Sequence, residues 1–289
     1  MGMERRGEGL RPGRTLMSTK PTYTLHYWPG IPGRGEYVRL AFEAAGEPYT
    51  DDMDVKTLGK LVMSPDVVGH PPHFAPPVLE FPAPASAKRA KTQAGQSVSG
   101  GGTQSVFISQ TPAILAYLGP KLGLVGDVEG EEEAVREVRR AQVNQLVLTA
   151  LDLSNEAHDV HHPVATSQYY EDQKDEAIRR AEDFRKNRIP KFFQHFEQVL
   201  SSNPAKSHRL VGSSTTTADL VLFQVLDGIQ FAFPRRWAAL EKSGKYPMLF
   251  EMKNSVAGEE KLKAYLASNR RQEYGMGLFR HYEELDADE

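Results

Sequence analysis

Apolar and polar side chains alternate over residues 22–28, with Tyr23, Leu25 and Tyr27 on one face, which predicts a half-buried strand. A Pro/Gly-rich turn follows, Trp28-Pro29-Gly30-Ile31-Pro32-Gly33-Arg34. Helical spacing then begins: Val38, Leu40, Ala41 and Ala44 or Ala45 share one face of a helix over 35–45. Residues 47–54 read as a short second strand and 57–63 as a weak helix, and the Pro- and His-rich stretch 64–77 excludes regular structure. A strand at 78–81 and its hairpin partner at 106–108 come next, then a helix over 111–118 with Pro112 in its first turn. Past a Gly-rich linker at 119–130 every periodic segment is helical: 131–158, 171–200, 218–231 and 261–268.

The order β-α-β, loop, β-β-α is a thioredoxin-like layout, and the helical remainder makes a second unit. The expected organisation is an extension at 1–20, a first domain at 21–121, an all-helical domain at 130–275 and a tail at 276–289. Residues 82–106 carry almost no large apolar side chain and interrupt what is normally a tight hairpin turn, so they read as a flexible insertion. Composition adds exclusions. The chain has 289 residues, 39% hydrophobic and 25% charged, with a net charge of −3, which gives no reason to expect nucleic acid or an anionic membrane as partner. No apolar run reaches the ~18 residues of a transmembrane helix. There is no cysteine, which excludes disulfides, thiolate metal sites and cysteine catalysis and fits a reducing, cytoplasmic setting. The N-terminal arginines are interrupted by Glu4 and Glu8 with no apolar core, so the segment reads as a disordered extension rather than a leader, with Met17 a possible downstream start.

Candidate chemistry sits at element ends. Tyr27 closes the first strand beside a helix N-terminus, where a phenol and free N–H groups together stabilise an anion. Pro76-Pro77-Val78-Leu79 opens the third strand. Ser109-Gln110-Thr111 opens a helix, with Thr111 as the expected cap able to hold a carboxylate. Thr216-Thr217-Ala218-Asp219 is a capping box ahead of a strongly apolar helix. His158, Asp159, His161 and His162 offer an i, i+4 histidine pair, open to three readings: metal ligands, a pocket edge or a polar helix end. Tyr169 and Tyr170 read as pocket lining or as surface aromatics.

In order and spacing these segments resemble the cytosolic glutathione S-transferases of tyrosine type (sigma, mu, alpha and pi), from Tyr23 to Arg271 apart from the insertion. The resemblance implies a thioredoxin-like domain with a mixed four-stranded sheet, followed by a helical-bundle domain. It implies glutathione as co-substrate, an apolar electrophile as second substrate, and a homodimer with residues 139–146 at its interface. Tyr27 takes the place of the catalytic tyrosine. Pro77 matches the cis-proline, and Gln110 and Thr111 match the pair that holds the γ-glutamyl carboxylate. Trp28, Arg34 and Pro76 flank the same site, Lys60 or Lys56 is the cation for the glycine carboxylate, and His158 and His162 border the electrophile pocket. Two departures are visible: the turn after Tyr27 is one residue longer than in the common classes, and Pro76 lacks the N–H that would bond the cysteinyl part of the ligand. Another glutathione-dependent reaction, isomerase or peroxidase, and a non-catalytic binding protein remain alternatives on the same scaffold. No metal and no nucleic acid or membrane partner is expected.

Overall fold

The computed structural model describes residues 22–63, 72–83 and 105–289. The expected extension at 1–20, part of the proline-rich loop and most of the insertion lie outside those residues. The first part of the chain forms β1 (Tyr23–His26), α1 (Gly35–Ala45), β2 (Tyr49–Asp52), α2 (Val55–Met63), β3 (Val78–Pro82), β4 (Ser105–Ser109) and α3 (Thr111–Leu122). The strands make one mixed sheet in the order β2-β1-β3-β4. β1 and β2 are parallel, joined by α1, and β3 runs antiparallel to both β1 and β4. Alternation decides the faces: Leu25, Leu79 and Phe81 pack with Val38 and Phe42 of α1 and Ile114 and Leu118 of α3 into one buried cluster. α1 ends where Gly46, at φ 71°, takes the left-handed conformation; its N–H donates to Glu43 O (3.1 Å) and the Glu47 N–H donates to Phe42 O (3.0 Å). α3 runs past Gly119 and Pro120, where the sequence predicted its end at 118. Pro120 is exposed, so the missing donor falls on the solvent side of the helix.

The second part is helical: α4 (Glu133–Val160), α5 (Lys174–Asp183), α6 (Ile189–Ser202), α7 (Thr217–Ala232), α8 (Pro234–Lys242), α9 (Pro247–Ala257) and α10 (Glu260–Leu266). The single helix expected over 171–200 is broken. A 3-10 turn at Tyr170–Gln173 leads into α5, and a π turn at Phe184–Arg188 separates α5 from α6. Pro190 is the cause, because it has no N–H and its ring collides with the carbonyl four residues back, so the wider turn accommodates it. α7 is buried on nearly all sides, packing against α4, α9 and α1, and it joins the two halves into one core. Its capping box closes as expected: Asp219 accepts from Thr216 N (2.8 Å) and Thr216 Oγ1 (2.7 Å), and also from Leu210 N (2.8 Å). Asp219→Ala strands buried donors and is expected to cost roughly 2–4 kcal/mol, read as a lower urea midpoint, while Asp219→Asn, which keeps an acceptor, loses less.

The last residues are an integral strap. Phe279 lies flat against Gly228, where a Cβ would approach its ring to 2.3 Å. Tyr282 stacks on Tyr170 at 3.8 Å, and the Asp286 carboxylate accepts the Arg235 and Arg236 amides (2.8 and 3.1 Å) at the start of α8. Among the described residues no helix is long and apolar enough to cross a membrane.

Candidate functional site

Strand register gathers the site. Val78 pairs with His26 on one side and Ser109 on the other. Tyr27, Pro77 and Gln110 each lie one step beyond those partners, so all three meet at one end of the sheet. The Pro76–Pro77 peptide bond is cis, and Pro77 is buried. Gln110 adopts φ 73°, a left-handed conformation that a non-glycine residue rarely takes, and occupies the N-cap position of α3. Thr111 is therefore the first helical residue, where the sequence placed it as the cap. Its side chain is 3% exposed and its Oγ1 has no hydrogen-bond partner, so a buried hydroxyl in the first turn of α3 is left unsatisfied.

Tyr27 is 5% exposed. Its ring presses on α1's entry turn so closely that a Cβ on Gly33 would lie 2.2 Å from Oη and one on Gly35 2.6 Å from the ring. Oη accepts the Arg34 N–H at 2.7 Å, and the Arg39 guanidinium lies 5.7 Å from the ring centre. Burial raises the phenol's pKa, outweighing the Arg34 amide and the charges of Arg34 and Arg39 that favour the anion. Tyr27 thus stays protonated at neutral pH, with one lone pair engaged and its own O–H available to donate. Tyr23, the other tyrosine of the strand, is half-buried and packs against Phe42 and Phe81 at the edge of the sheet's buried cluster.

Trp28 is 37% exposed on the turn, and Arg34 reaches across to Asn155 of α4 at 2.9 Å. Lys56 and Lys60 lie on the exposed side of α2. The histidines do not keep i, i+4 helical spacing, because α4 ends at Val160 and His161 is its C-cap. Instead the three rings of His158, His161 and His162 contact one another at 4.8–5.2 Å. The Arg34 charge acts on His158, and His162 accepts a long bond from Gln173 (3.4 Å). His161 is buried, with Nε2 3.2 Å from the Leu278 carbonyl. Tyr170 is buried under Tyr282, and Tyr169 is 78% exposed. Among the described residues no group of three or more His, Asp or Glu side chains is arranged to hold a metal ion.

Burial pushes His161 from 6.5 down to about 3, and lowers His158 and His162 as well. The folded cluster is neutral, whereas in the unfolded chain each ring takes up a proton near pH 6.5. The stability of the neutral cluster is complete above that value and is lost as pH falls toward about 3. His161→Gln is expected to flatten the fall in thermal midpoint between about pH 6.5 and 4, measured by calorimetry across that window.

Some site residues were not found in the sequence. His26 sets its Nδ1 2.8 Å from Asp52 and its Nε2 3.1 Å from Glu80, tying three strands together on the face opposite Leu25. Glu36 and Arg39 are fully buried in α1. The signal was present: an arginine and a glutamate inside the otherwise apolar run Tyr37–Phe42 and its approach require buried partners.

A phenol, a cis-proline and a helix N-terminus meet at one end of a thioredoxin-like sheet, with a helical domain closing one side. Residues 158–269 match the family description "Glutathione S-transferase, C-terminal domain". Solved structures with the same fold include the glutathione S-transferase of Ascaris lumbricoides (23% identity, 86% of this chain and 97% of that one, TM-score 0.54). They include the sigma class enzyme of Fasciola hepatica (17%, 88% and 97%, TM-score 0.59). Prostaglandin synthase D of Nilaparvata lugens is a third (18%, 86% and 98%, TM-score 0.58). No curated protein matches the chain in sequence. Residues 158–269 thus match the C-terminal domain of the glutathione S-transferases, and the whole chain has the fold of those proteins.

Proposed function

We infer that the protein binds glutathione and activates its thiol for transfer to apolar electrophiles. The observation that carries this reading is the Arg34 N–H bonded to Tyr27 Oη at 2.7 Å. It fixes a neutral phenol as a donor at the open end of the sheet, and a bond accepted by the oxygen strengthens the bond its proton makes. A free thiol titrates near ~8.5, so little is ionised at neutral pH. Donation from Tyr27 Oη to the sulfur stabilises the thiolate, and the thiol proton leaves to solvent. The sulfur then forms a bond to an electrophilic carbon, whose leaving group departs with the electron pair of the bond that breaks. The γ-glutamyl carboxylate sits on Thr111 Oγ1 and the free amides of α3, with Gln110 beside it. Pro76 and Pro77 hold the extended peptide through carbonyl contact, and Lys60 meets the glycine carboxylate. Trp28, Arg34, His158 and His162 border the electrophile. The protein works as a homodimer in the cytoplasm; the 91%-exposed Phe74 and 59%-exposed Val138 support the paired state.

A second reading, isomerisation with glutathione as cofactor, is favoured by Arg34 on the electrophile side, since a guanidinium stabilises a developing enolate. Thr111→Val tests ligand binding apart from chemistry. It removes a hydroxyl that has no partner in the free protein, so the thermal midpoint stays within a degree or two of the parent or rises. Glutathione affinity by calorimetry is expected to fall about 10- to 150-fold, the value of one hydrogen bond to a charged group. Unchanged affinity would remove Thr111 from the site.

A further inference from the structure

Glu36 and Arg271, from opposite ends of the chain, meet beneath the Tyr27 turn. Glu36, in the first turn of α1, has no exposed surface. Its carboxylate accepts from Tyr265 Oη on α10 (2.7 Å), from Arg39 (3.2 Å) and from Arg271, which follows α10. Arg271 also meets Asp227 of α7 at 3.2 Å, and the other oxygen of Asp227 faces Lys253 of α9 at 3.2 Å. Arg39 is shared further. It forms a two-point pair with Asp51 (2.7 and 3.3 Å), donates to the Pro32 carbonyl (3.1 Å) and lies over the Tyr27 ring. Burial alone would weaken its protonation, but Asp51 and Glu36 outweigh that and hold it charged.

The charges balance only as a set. Arg39, Arg271 and Lys253 face Glu36, Asp51 and Asp227. Without Arg271, Arg39 is left as the one cation beside two carboxylates, Glu36 and Asp51. A buried carboxylate left unpaired is strongly unfavourable, so Glu36 would draw in water or move. Glu36 is two residues from Arg34, and its own N–H closes the turn on Pro32 O at 3.1 Å. Movement there passes to the amide that holds Tyr27.

Resting on the role given to Tyr27 above, we propose that Arg271 and Tyr265 are positioning residues for the thiol site. By holding Glu36 they fix Arg39 against Tyr27 and the first turn of α1, and with it the Arg34 N–H on the phenol. The segment after α10 is thereby part of the catalytic architecture without touching the substrate.

Tyr265→Phe removes one donor and keeps the ring; Arg271→Ala removes the cation; Arg271→Lys returns the charge. Amide exchange over residues 32–36 in the unliganded proteins reads the turn directly. Ionisation of the bound glutathione thiol, with kcat and KM for conjugation, reads its consequence. Exchange is expected to quicken in Tyr265→Phe and in Arg271→Ala, with kcat about tenfold lower, KM for glutathione within about twofold, and partial recovery in Arg271→Lys. If Arg271→Ala does not fold, Tyr265→Phe and Arg271→Lys decide. Exchange and thiol ionisation equal to the parent in both would overturn the positioning role, even with a lowered melting temperature. A parent protein that itself leaves the thiol as in buffer would overturn the role of Tyr27 and this inference with it.

Discussion

Tyr27→Phe should lower turnover for glutathione conjugation by roughly 10- to 100-fold while glutathione binds within about threefold of the parent, the split expected when one hydrogen bond acts on the charge that develops at sulfur. The ring is held by contacts that do not involve its oxygen: Gly33 and Gly35 press on its edge, and Arg39 lies over its face. Removing the hydroxyl therefore leaves the ring in place. It does leave the Arg34 amide without its acceptor, which costs stability on the order of 1–3 kcal/mol if the amide stays buried. Steady-state kinetics against a chloronitrobenzene, with binding measured separately, distinguishes the outcomes. A loss confined to KM would make Tyr27 a binding residue rather than a thiol activator.

An even broader effect is expected from Gly33→Ala. Gly33 has φ +47°, which already disfavours any side chain by about 1–2 kcal/mol. The added Cβ would also stand 2.2 Å from Tyr27 Oη and 2.7 Å from a ring carbon, closer than atoms can approach. Tyr27 is nearly enclosed and has nowhere to retreat. Overpacking of this kind adds roughly 1–3 kcal/mol. The variant should lose both the turnover lost in Tyr27→Phe and a large part of its stability, seen as a lower urea midpoint. The two substitutions must also be coupled. In a Tyr27→Phe background the shortest clash is gone, so Gly33→Ala should cost less there than in the parent, by about 1 kcal/mol in a double-mutant cycle. Additive costs would mean that the phenol and the turn are not in the contact described.

Most of the fold was legible because local patterns carry it. Alternation around Leu25 and Leu79 predicted strands that do pair, and helical spacing predicted α1 within its observed bounds. The capping box at Thr216 and Asp219 closes as read. The break in the helix at 171–200 was not legible, because a π turn preserves the apolar face that periodicity detects; Pro190 was its only local sign. Thr111 was misplaced by one position, since a non-glycine residue at φ 73° is not something propensity anticipates for Gln110. Least legible were the long-range ion pairs. Nothing local tells Glu36 that its partner is Arg271, and nothing marks 278–286 as a strap whose buried Leu285 and capping Asp286 complete the core. The buried charges in α1 announced a need without naming what meets it.

The central claim is that a neutral, braced phenol holds a borrowed thiol in its ionised form. Ultraviolet titration of glutathione bound to the intact protein tests it most directly. The thiolate absorbance should appear about one to two pH units below that of glutathione in buffer, and that shift should vanish in Tyr27→Phe. Superimposable titration curves for free and bound glutathione would contradict the account.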